Sequence, residues 1–164
     1  MVCVRLQWAL VVVSPFLILA RAEASTATGH LAVSMTIVST CTVGSSAAMA
    51  FGGAGLLTTA VTATGTFTVT CQNATPFSLG LDQGANGGSV TNRRMRGAAT
   101  GALINYSLYQ DAARSVNWGN TAGFWESATG TGSAQTLTVY GLTPAQATPA
   151  PDSYVDSVTV TVNY

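Results

Sequence analysis

"HLAVSMTIV", residues 30–38, alternates Leu31, Val33, Met35 and Ile37 with His30, Ala32, Ser34 and Thr36. That two-residue period is the pattern of a strand with one apolar face. It stands near the start of the chain, where most domains fray. What its apolar face is for depends on the stretches before and after it.

Upstream, Arg5 provides a positive charge and "WALVVVSPFLILA" an apolar run too short for a membrane span, followed by small residues at Ala20, Ala22 and Ala24. This predicts an export signal over residues 1–24 and a mature chain that begins near Glu23 or Ser25. Residues 25–38 then form an N-terminal extension that carries the strand, and residues 39–164 one domain. No second run of spanning length follows, so membrane insertion is not expected.

Removing the signal also removes Cys3 and leaves an even pair, Cys41 and Cys71. Export to an oxidising compartment predicts a disulfide between them. Charge is sparse: there is no lysine, and from Ser25 onward four arginines face five carboxylates. A net charge of −1 argues against nucleic acid or an anionic membrane as partner.

Downstream, strand follows strand. "GTFTVTCQN" (65–73), "PFSLGLDQG" (76–84), "ALINYSLYQD" (102–111), "QTLTVYGL" (135–142) and "DSYVDSVTVTVNY" (152–164) all alternate, with glycine-rich turns such as "DQGANGGSVTN" between them. "GSSAAMAFGGAGLL" has room for a turn of helix, though its glycines disfavour one. The pattern predicts an all-β, immunoglobulin-like β-sandwich. In the last stretch Val158, Val160, Val162 and Tyr164 face one way, so it reads as a core strand that is either paired on both sides or leaves an open edge.

Chemistry is hard to assemble from these residues. The extension holds the mature chain's one histidine, His30, so no Ser-His-Asp or Cys-His set is expected. We expect no catalytic residue, no metal site and no cofactor. Asp82 and Asp111 fall at strand-to-turn junctions, where aspartate caps backbone. Arg93, Arg94 and Arg96 read as a solvated turn edge with Met95 inward, and Trp118 and Trp125 as core or edge packing. The sequons at Asn73 and Asn105 read as chance matches.

"VTCQNATPFSLGLDQGANGG" (69–88), "NRRMRG" (92–97), "NYSLYQDAARSVNWGN" (105–120) and "YVDSVTVTVNY" (154–164) together resemble the spore coat protein U domain family, which includes subunits of archaic chaperone-usher pili. The resemblance implies an incomplete sandwich that lacks its last strand and is completed by donor-strand exchange. A periplasmic chaperone would lend a strand first. At an outer-membrane usher, the extension of another copy, or of a related pilin, would replace it.

By position, Leu31, Val33, Met35 and Ile37 match the donor residues. Val158, Val160, Val162 and Tyr164 match the strand that lines the groove and pairs with the chaperone. The implied product is a structural surface fibre for attachment and biofilm formation, reached through the periplasm. A surface adhesin or glycan-binding module, or a coat protein of the same family, is the alternative. Asp152 departs from the pattern, standing where many relatives carry glycine.

Overall fold

The computed structural model describes Arg21 and residues 23–164; the expected signal peptide otherwise lies outside the described residues. The chain divides into two units, Met1–Thr36 and Ile37–Tyr164. The described part of the first unit contains no regular element.

The second unit is all-β: β1 (Cys41–Ala47), β2 (Val61–Cys71), β3 (Pro76–Leu81), β4 (Arg93–Gly97), β5 (Leu103–Tyr109), β6 (Glu126–Thr129), β7 (Ala134–Thr143), β8 (Tyr154–Val155) and β9 (Val160–Asn163). They form a six-stranded sheet, β1-β2-β7-β5-β4-β8, and a three-stranded sheet, β6-β3-β9. Every pairing is antiparallel, and no helix occurs among the described residues. "GSSAAMAFGGAGLL" supplies the end of β1 and then a stretch without regular structure.

The alternation in sequence becomes burial. Along β2, Phe67, Val69 and Cys71 turn inward, and along β3, Phe77, Leu79 and Leu81 meet them from the other sheet. Trp118 fills the space between, fully buried. Its indole N–H donates to the Leu79 carbonyl at 3.0 Å, and its ring lies 5.8 Å from that of Phe67. Trp125 stays partly exposed.

Cys41 and Cys71 are directly opposite in the β1–β2 ladder and are joined by a disulfide. The bridge closes a loop with a sequence separation of 30. On the chain-entropy relation, replacing both cysteines by serine should lower unfolding stability by about 3 to 4 kcal/mol in urea melts.

The arginine cluster does not form the solvated turn edge expected from its charge. It is strand β4, and Arg93 is fully buried. Its guanidinium donates to four main-chain carbonyls: Nε to Asp82 at 2.7 Å, one terminal nitrogen to Val90 at 2.7 Å, and the other to Leu81 at 2.8 Å and Trp118 at 2.7 Å. A strand of the larger sheet is thereby tied to the end of β3 in the smaller one. Burial pushes the Arg93 pKa below its ordinary value, while the neighbouring Tyr106, Asp82 and Asp156 act to raise it.

Candidate strand-accepting groove

β1 is where the sandwich is open. Val43 pairs with Val69 and so shares its face of the sheet, yet Val69 is fully buried and Val43 is 45% exposed. β9 of the opposite layer comes close to β1 without pairing with it.

The C-terminal segment forms the other wall. It pairs with β4 as β8 (Gly97↔Tyr154, Arg96↔Val155) and with β3 as β9 (Leu81↔Val160 through Ser78↔Asn163). One stretch therefore belongs to both sheets. From Asp152 to Val162 the even-numbered residues are half-buried and the odd-numbered ones between them exposed, as in continuous extended chain.

The ladder to β3 shows which backbone groups remain open. Thr159 O accepts from Asp82 N–H at 3.1 Å, and Ser157 O from Ala85 N–H at 3.1 Å. Successive residues of a strand direct their N–H and C=O to opposite edges. The main-chain groups of Val158, Val160 and Val162 therefore point away from β3, along an edge to which no strand is hydrogen-bonded. Their side chains face the core. The C-terminal residue Tyr164 is 62% exposed.

Two carboxylates hold the crossing between the sheets. Asp82 accepts from the main-chain N–H of Gly84 and of Thr159, both at 2.9 Å. Burial pushes its carboxyl up. Hydrogen bonds from Thr159 and Gly84, with the Arg93 charge, outweigh this and leave it below the usual value. Asp156 accepts from Ala85 N–H (2.9 Å), from both nitrogens of Asn86 (3.2 and 3.0 Å) and from the Tyr106 hydroxyl (2.6 Å). Burial first, and then this bond, raise the Tyr106 phenol well above its ordinary pKa.

Asp152 secures the start of the segment. Its carboxylate accepts from the N–H of Ala99 and Thr100 and from the Thr100 hydroxyl, at 2.8 to 2.9 Å. These bonds, led by the Thr100 N–H, bring its pKa from 3.8 to about 2. A carboxyl depressed in the folded state contributes stability at pH above its unfolded value, and that contribution is lost as pH falls through the folded value. Thermal melts of the parent should therefore show a decline between pH 4 and 2 that is shallower in Asp152→Asn.

Between the walls lie two cavities. One, of about 430 Å³, runs from Tyr154 to Val160 over a floor that includes Phe67, Leu108 and Val139. The other, of about 850 Å³, lies between residues 49–57 and 148–154. Met49 and Phe51 line both, and neither stood out in the sequence. Their own alternation was the available signal, obscured by the alanines and glycines around them.

Leu31, Val33, Met35 and Ile37 are exposed by 88, 86, 88 and 72%. Asp111 accepts from the N–H of Ser115 and Val116, a turn cap of the kind expected. Among the described residues no group of three or more His, Cys, Asp or Glu is placed to hold a metal ion. No helix among them is long and apolar enough to cross a membrane.

The model of the Spore Coat Protein U domain matches residues 27–161. A curated relative, "Protein U" of Myxococcus xanthus, is 30% identical over 161 residues, covering 87% of this chain and 88% of its own. Among solved structures, the fold is similar to a chain of the chaperone-tip adhesion subunit pre-assembly complex (CsuC-CsuE) from archaic chaperone-usher Csu pili of Acinetobacter baumannii. The TM-score is 0.58 at 22% identity, over 79% of this chain and 40% of that one.

Proposed function

The chain belongs to the Spore Coat Protein U domain family, and from that premise we propose that it is the structural subunit of an extracellular fibre built by donor-strand exchange. One observation carries the reading: a single chain presents both an apolar groove with an unpaired strand edge and an exposed stretch whose apolar residues alternate over a matching length. The smaller cavity runs from Tyr154 to Val160, and the apolar positions of the extension run from Leu31 to Ile37, seven residues each. An inserted strand would hydrogen-bond to the main chain of Val158, Val160 and Val162 and lay alternate side chains on the core. Burying four such side chains contributes about 6 to 12 kcal/mol gross, before the ordering of the strand is set against it.

On this reading a periplasmic chaperone fills the groove first, because an open apolar edge in a free subunit invites aggregation. The outer-membrane usher is the place of exchange, the donor is a second copy or a related subunit, and the fibre serves surface attachment and biofilm formation. No catalysis is involved. Purification from the periplasm tests the proposal. The chain should elute in a one-to-one complex with a chaperone and precipitate when separated from it. A stable, soluble monomer obtained alone would overturn the reading.

A further inference from the structure

The stretch between Ala47 and Leu57 crosses the opening without belonging to any strand. Its far end is pinned. Leu57 N–H donates to the Thr148 hydroxyl at 2.8 Å, Leu57 O accepts from Gln146 N–H at 2.8 Å, and the Leu57 side chain is buried. Between the fixed ends, the two side chains that pack on the core are Met49 and Phe51.

They sit where the larger sheet lacks side chains. Gly65 of β2 and Gly141 of β7 are buried, and their pairs lie two apart in the ladder (Gly65↔Val139, Ala63↔Gly141), on the same face of the sheet. A Cβ on Gly65 would stand 3.1 Å from the Met49 Cβ. A Cβ on Gly141 would overlap the Met49 sulfur and stand 2.8 Å from the Phe51 ring. Phe51 also meets Tyr106 edge-on, with ring centroids 6.2 Å apart. Two glycine notches thus seat two apolar side chains on the larger sheet. Beyond Phe51 come Gly52, with φ of 75°, and Gly53 and Gly55; a Cβ at any of the three would touch nothing within 4 Å.

A permanent wall of a sheet groove would be held by ladder hydrogen bonds. This stretch is held between its ends by two side chains in shallow seats, next to open glycines. Its pair of side chains also partitions the groove, lining the cavity on either side. We propose that Met49 and Phe51 are a built-in stopper, which the donor strand of a second copy must lift from the Gly65 and Gly141 notches before it seats along β9. This rests on the donor-strand reading above and adds to it a control on uptake: the free groove is partly filled by its own chain, and only a strand with enough apolar surface displaces the filling.

The test uses the full chain carrying Val33→Asp and Met35→Asp to suppress self-donation, released from its chaperone at nanomolar concentration directly into a fluorescent synthetic peptide of residues 25–39, so that binding is read before the free subunit precipitates. In that background Phe51→Ala should raise the peptide's association rate about tenfold, as for a competent state populated about one part in ten. In the same double-aspartate background with Phe51 retained, peptide binding should speed amide exchange across residues 48–56 while β9 becomes more protected. That measurement stands whether or not the variant folds. Binding with exchange at 48–56 unchanged, or with no faster association in a folded Phe51→Ala, would make the segment a fixed wall and overturn the stopper alone. No binding in any background would overturn the donor-strand reading and the stopper with it.

Discussion

Replacing Val33 and Met35 together with aspartate should abolish the fibre while leaving the chaperone-bound subunit intact. Each side chain lost from the groove removes about 1.5 to 3 kcal/mol of apolar burial. Each carboxylate in its place then meets Phe67, Leu108 and Val139 with no cation among the residues lining that cavity. The combined penalty, more than about 5 kcal/mol, shifts the exchange equilibrium by over three decades. The control lies on the opposite face: Ala32→Asp with Thr36→Asp adds the same charge and should leave polymers unchanged. Ladders on unheated gels and electron micrographs of the surface give the readout. Equal polymer from both double variants would mean that the 31–37 alternation has another purpose.

The second large effect is internal to the subunit. Arg93→Met keeps much of the side chain's volume but leaves the carbonyls of Leu81, Asp82, Val90 and Trp118 without their donor. An orphaned buried acceptor costs about 1 to 3 kcal/mol, offset by release of the buried charge's own desolvation. The expected net loss is about 4 kcal/mol in urea melts. Arg93→Lys should recover less than half of it, because one ammonium cannot reach four carbonyls arranged around a planar fork. If Arg93→Met melted like the parent, the four bonds would be balanced by the burial of the charge.

Arg93 also marks where sequence reasoning stops. Three arginines within four positions read as solvent-facing because charge is expensive to bury. What makes burial tolerable is the convergence of carbonyls from residues 81, 82, 90 and 118, which exists only once the sheets have packed. Val69, Phe77 and Leu79 were legible for the opposite reason: their two-residue period declares the strand and its inner face together. Cys41 and Cys71 were legible from parity and export. The terminal stretch was half legible. Its alternation is plain from Tyr154 onward, but its division between two sheets depends on hydrogen bonds that Asp82, Asp152 and Asp156 accept from groups distant in sequence, and nothing local in the sequence encodes those partners.

That division bears on how the subunit responds to force and heat. A sandwich whose layers touch only through side chains can part like two stacked sheets of paper. Here a single thread is stitched through both, since residues 154–155 lie in one sheet's ladder and residues 160–163 in the other's. Peeling either layer pulls directly on the other, so the amides of β8 and β9 should open in one event, at the free energy of the whole domain. A fibre of such units would hold until a subunit gives way entirely, with no gradual slackening first.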